Sequence, residues 1–130
     1  MTRSKKCTPA IREGRLSKAR QFWEAADLIE TAVGNQEEDL VDAYITLCVH
    51  AGIAAADVIC CARTGQHAQG PNHEEAIKLL ASADKAAARH LRTLLDLKTR
   101  SGYSERRSAK TDRMRSRRAA SALIDLAEAV

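Results

Sequence analysis

A chain of 130 residues is the size of one domain, long enough to enclose a core and too short to divide into two. Hydrophobic residues make up 45% of it and aromatic residues only 3%, a balance that disfavours an all-β class, because strands favour aromatic and β-branched side chains while alanine, leucine, lysine, arginine and glutamate suit helices. The net charge of +4 is unevenly spread: residues 1–20 carry seven Lys or Arg against Glu13 alone, residues 98–118 carry nine against Glu105 and Asp112, and residues 21–97 hold twelve acids against five bases.

In chain order, residues 1–15 read as a basic arm, loosely docked and interrupted by Pro9 and Gly14. No signal-peptide core follows the basic start, and no run of about 18 apolar residues is free of charge, so the expectation is a cytoplasmic protein with no membrane partner. The domain proper spans 16–130. Its first helix runs from Leu16 to Val33, where Leu16, Ala19, Phe22, Trp23, Ala26, Ile29 and Val33 form one stripe and Gly34 is the natural stop.

A second helix runs from about Glu37 to Arg63 and is apolar nearly all round, as a helix buried on several sides must be. Its middle, His50 to Asp57, is rich in small residues that allow another helix to approach closely, either from this chain or from a second copy. Thr64 to Asn72 is a loop; Asn72 reads as an N-cap, with Glu74 and Glu75 suited to the positive end of the third helix. That helix breaks and restarts near Ser82–Asp84, continues with Ala87, Leu91, Leu94, Leu95 and Lys98 inward, and gives way to a turn at Ser101–Ser104. The last helix begins between Ser108 and Thr111. The fold class is therefore all-α, an antiparallel bundle of four to five helices.

Few groups suggest chemistry. Cys7 is isolated, Cys48 lies in an apolar run, and Cys60 and Cys61 are adjacent, a poor disulfide framework that reads instead as small buried hydrophobes. Adjacent cysteines on a helix point about 100° apart, so Cys60, Cys61, His67 and His73 do not make a zinc site, and no metal or cofactor is expected. Phosphate-cradling glycine loops are absent as well. His50 and Asp57, two helical turns apart, project from one side of the second helix as either a polar core contact or the wall of a cleft. The basic segment 98–118 suits phosphate backbones through charge alone, since Tyr103 is its one ring for stacking.

The segment Leu94-Leu-Asp-Leu-Lys98-Thr-Arg-Ser-Gly-Tyr103, followed by a polar turn and a helix ending Ala119-Ala-Ser-Ala-Leu-Ile-Asp-Leu-Ala127, resembles the C-terminal half of the HEPN superfamily. The resemblance covers residues 16–130. It implies a helical bundle, commonly a homodimer, found in bacterial toxin–antitoxin pairs, defence systems and RNA processing. Active members are metal-independent ribonucleases that use an arginine followed a short step later by a histidine. Here Lys98 stands for the arginine and Tyr103 for the histidine. A tyrosine with a pKa near 10 is a poor base at neutral pH, and lysine lacks the planar fork that grips a phosphate. The resemblance therefore implies a binding and dimerisation module, leaning away from enzyme activity, with RNA or a nucleotidyltransferase-type antitoxin as partner. Lys98, Arg100, Tyr103 and His50 are the residual catalytic candidates, and Asp57, Asp96, Arg106 and Arg107 the cleft or partner-binding ones. The alternative is a ribonuclease toxin with a variant site.

Overall fold

The computed structural model describes residues 4–33 and 40–130, excluding the side chain of Val33. The stop expected at Gly34 and the helix start expected at Glu37 lie outside the described residues. Among the described residues the chain forms an all-α bundle of five helices with one small sheet: β1 (Ser4–Lys6), α1 (Pro9–Val33), α2 (Val41–Thr64), β2 (Gln66–Ala68), α3 (His73–Ala83), α4 (Lys85–Tyr103) and α5 (Lys110–Ala129).

The N-terminal segment departs from the loose arm expected of it. Thr8 caps α1 by accepting the Ile11 amide on its hydroxyl at 3.2 Å, and Pro9 takes the first helical position, where its missing N–H is no loss. The helix thus starts at Pro9 rather than Leu16, and Gly14 does not interrupt it. Ahead of it, β1 pairs antiparallel with β2 in the register Ser4↔Ala68, Lys5↔His67 and Lys6↔Gln66, so part of the expected 64–72 loop is a strand. The Cys7 amide donates to the Gly65 carbonyl at 2.8 Å, and Gly65, at φ 75°, supplies the left-handed residue that closes α2.

Cys7 and Cys61 are joined by a disulfide, which corrects the expectation that all four cysteines are buried hydrophobes. That description holds for Cys48 and Cys60, which are buried free thiols. The helical rotation between neighbours decides it: Cys60 turns inward, while Cys61 faces the N-terminal segment.

Helix α2 is the core element, with Tyr44, Ile45, Cys48, Val49, Ala51, Ala55, Val58 and Ile59 almost wholly enclosed. By length and composition it could cross a membrane, but 67% of its most apolar window is buried within the bundle. Contacts along it fix the helix directions. Glu30 with Tyr44, Phe22 with His50 and Arg15 with Asp57 make α1 antiparallel to α2. Ser101 with Thr46 and Leu94 beside Gly52 make α4 antiparallel to it as well. Asp42 with Ser108, Tyr44 with Arg117 and Gly52 with Leu123 place α5 parallel to it. Consecutive helices α4 and α5 are antiparallel neighbours, joined near their connection by Arg100 and Asp112. The small residues of α2 therefore admit helices of the same chain.

The break between α3 and α4 falls at Asp84, whose extended backbone ends one helix and whose carboxylate caps the next by accepting the Ala87 amide at 3.0 Å. Asn72 caps α3 through the Glu75 amide at 3.1 Å. Helix α4 runs on through Tyr103, beyond the end expected at Arg100, so the turn occupies residues 104–109 instead of 101–104.

Candidate functional site

The stripe Ile53, Ala56, Asp57 and Cys60 on α2 and the stripe Leu91, Leu95 and Lys98 on α4 follow three- and four-residue steps, so each lies on one helix face. The two faces, with Arg15 of α1, the 68–72 segment and the first turn of α3, enclose an open cleft of about 270 Å³. Its floor is aliphatic. Charge enters at the edges: Arg15 Nε donates to Asp57 Oδ2 at 2.9 Å, and Lys98 and His73 line the same space.

Asp57 is mostly enclosed, and burial pushes its carboxyl above the usual range despite the opposing pull of Arg15 and His67. Cys60, on the same face, has its thiol pushed up to about 12 by burial and then by the Asp57 charge, so it is protonated and unreactive at neutral pH. His50 sits one turn before Ile53. Its ring stacks on Phe22 at 5.2 Å between centroids, and its pKa is lowered by burial, then by the positive fields of Lys98 and Arg15.

This last shift has a measurable sign. The native protein binds a proton on His50 more weakly than the unfolded chain does, so the native state loses stability as pH falls from about 6.5 toward the lowered native value, and gains nothing further above 6.5. Urea unfolding midpoints on both sides of pH 6.5 should show that slope in the native sequence and a shallower one in His50→Gln. An unchanged profile in the variant would remove His50 as its source.

Of the residues singled out from sequence, the fold brings Lys98 and Asp57 to the cleft and His50 to its edge. It does not bring the others. Arg100 donates to Asp112 Oδ2 at 2.8 Å near the start of α5. Asp112 also accepts the Ala109 amide at 3.2 Å; burial would raise its pKa, but Arg100 and that amide together hold it below the ordinary carboxylate value. Tyr103, which stands for the histidine in the HEPN resemblance, is 79% exposed on the last turn of α4. Asp96 is exposed near Arg92, and Arg106 and Arg107 are exposed in the 104–109 connection.

The basic segment is also less available than its composition suggests. Arg113 donates to Glu30 at 2.7 Å, while Arg117 donates to the Tyr44 hydroxyl at 2.9 Å, pairs with Asp27 and Glu30, and lies over the Trp23 ring at 4.8 Å. These cations stitch α5 to α1. Tyr44, enclosed beneath them, has its pKa raised to about 12 chiefly by burial.

Two contributors are not legible in the sequence as site residues. Arg15 lies in the segment expected to be a loose arm and meets Asp57 across 42 residues of sequence, and His73 is weighed from sequence only as a zinc ligand and not as part of a cleft. Cys61, one of the four residues weighed as zinc ligands, is bonded to Cys7. No protein-family model, curated protein or solved structure matches this chain.

Proposed function

We propose that this chain is a HEPN-like helical module that dimerises and binds a partner without cleaving RNA. The observation that carries the reading is the condition of the pair standing where HEPN ribonucleases have arginine and histidine. Lys98 faces the cleft, Tyr103 is 79% exposed, and the neighbouring Arg100 is held by Asp112. A base and a phosphate-gripping cation that do not share one site cannot act together on one phosphodiester. The partners in this reading are a second copy of the chain, an antitoxin of nucleotidyltransferase type, and RNA held electrostatically by the exposed Arg106, Arg107 and Arg118. Leu28, 71% exposed on α1, and Met114 on α5 are apolar surface available for such contacts. The cytoplasmic setting expected from the sequence stands against the Cys7–Cys61 bond, because disulfides persist mainly in oxidising compartments.

Light scattering at micromolar concentration should give a dimer mass, and labelled RNA incubated with the protein should stay intact. A monomer removes the dimerisation part. The alternative, a metal-independent ribonuclease with a variant site, draws on His50, an imidazole close enough to Lys98 and Arg15 for their charges to lower its pKa after burial. RNA cleavage, with growth arrest on expression, that is lost in Lys98→Ala or Tyr103→Phe would replace the binding reading with that one.

A further inference from the structure

The cleft between α2 and α4 combines two features that rarely meet on an ordinary surface. Its floor is aliphatic, formed by the partly exposed Ile53 and by the edges of the buried Ala56, Leu91 and Leu95. Its edge is positive: Arg15 is balanced by Asp57, whereas Lys98 has no ion-pair partner among the described residues. Small-molecule sites are mostly apolar hollows with a few polar groups fixing orientation, and they run from about 300 Å³ upward. A volume of about 270 Å³ therefore suits a small ligand.

We propose that this cleft is a binding site for small amphipathic monocarboxylates, the carboxylate meeting Lys98 and the hydrocarbon lying on the Ile53, Ala56, Leu91 and Leu95 bed. One uncompensated cation matches one negative charge. Beyond Lys98, a phosphate dianion finds Arg15, which is committed to Asp57, and the His73 ring, and it would face the Asp57 carboxylate. A cationic amphiphile would meet Lys98 directly. The proposal stands on the cleft alone and does not depend on the HEPN reading.

Sodium octanoate is the probe. Titrated into isotope-labelled full-length protein, it should produce saturable amide shifts centred on residues 53–60 and 91–98. Lys98→Gln should weaken binding about tenfold, the scale of one charged hydrogen bond, and Lys98→Arg should restore most of it. Ala76→Leu, which fills the cleft from its α3 wall without touching the charge, should abolish binding in a protein with an unchanged melting curve. Octylammonium binding as tightly as octanoate, inorganic phosphate reproducing the same shifts, or shifts that fail to saturate would each overturn the assignment. So would full affinity in Lys98→Gln.

Discussion

Replacing Cys7 with alanine is expected to lower the unfolding free energy by about 2–4 kcal/mol, the largest effect of any single change outside the core. The bond links residues 54 apart in sequence, and a closure of that length removes about 4 kcal/mol of chain entropy from the unfolded ensemble in the simplest treatment. Some of that is offset because β1 is already held to β2 and the Cys7 amide to Gly65. Urea unfolding with and without reductant checks this. Reduced native protein and Cys7→Ala should unfold at the same lowered midpoint, and the variant should ignore reductant. Coincident transitions for the oxidised and reduced native protein would mean that the bond contributes nothing.

A second large effect is expected at Gly52. A Cβ placed there would lie 2.1 Å from Leu94 Cδ1 and 3.3 Å from Leu123 Cδ1, so glycine sets how closely α4 and α5 approach α2. Two effects compete in Gly52→Ala. Helix propensity favours alanine by about 1 kcal/mol, whereas overpacking a filled core costs about 1–3 kcal/mol. Leu94 and Leu123 are fully buried and have no solvent to move into, so the clash should win by about 1 kcal/mol. Gly52→Val should lose about 3 kcal/mol or more. The contact also predicts a compensation. Leu94→Ala alone should cost about 2–5 kcal/mol, and adding Gly52→Ala to it should recover stability, because the new methyl occupies space the leucine has left. Strict additivity in the four-way comparison would show that the two positions do not touch.

The elements with the clearest local chemistry are legible without the structure. Asn72 is a cap because a short polar side chain can satisfy an amide three residues on, and that arithmetic needs no knowledge of the rest of the fold; at Asp84 only the break is legible, and its capping of α4 comes from the structure. The α1 stripe and the α4 stripe through Leu91, Leu95 and Lys98 follow from periodicity, and the enclosure of α2 from its being apolar nearly all round. Pairings across long separations are not legible. Arg113 meets Glu30 across 83 residues, and Arg117 meets Tyr44 across 73, so a segment that looks like a solvated basic run is partly an internal clamp. The N-terminal segment misleads for the same reason. Pro9 and Gly14 look like breaks, yet a threonine cap converts the proline into a helix start, and the strand partner that orders residues 4–6 lies beyond two helices. The candidate site is half visible: Asp57 and Lys98 stand out, but Arg15 and the apolar bed become a site only when α1, α2 and α4 pack together.

The bridge between Cys7 and Cys61 also divides the molecule covalently. Everything from residue 7 to 61, which holds α1 and most of α2, forms a closed circuit, and residues 62–130 hang from it as a linear tail. One peptide-bond scission after Lys18 or Arg20 would leave a single molecule on a non-reducing gel, merely opened. The same scission after the exposed Arg63 would release α3, α4 and α5 as a separate fragment. Backbone damage is thus tolerated unequally along this chain: a cut inside the circuit leaves one covalent molecule, and a cut beyond Cys61 leaves two.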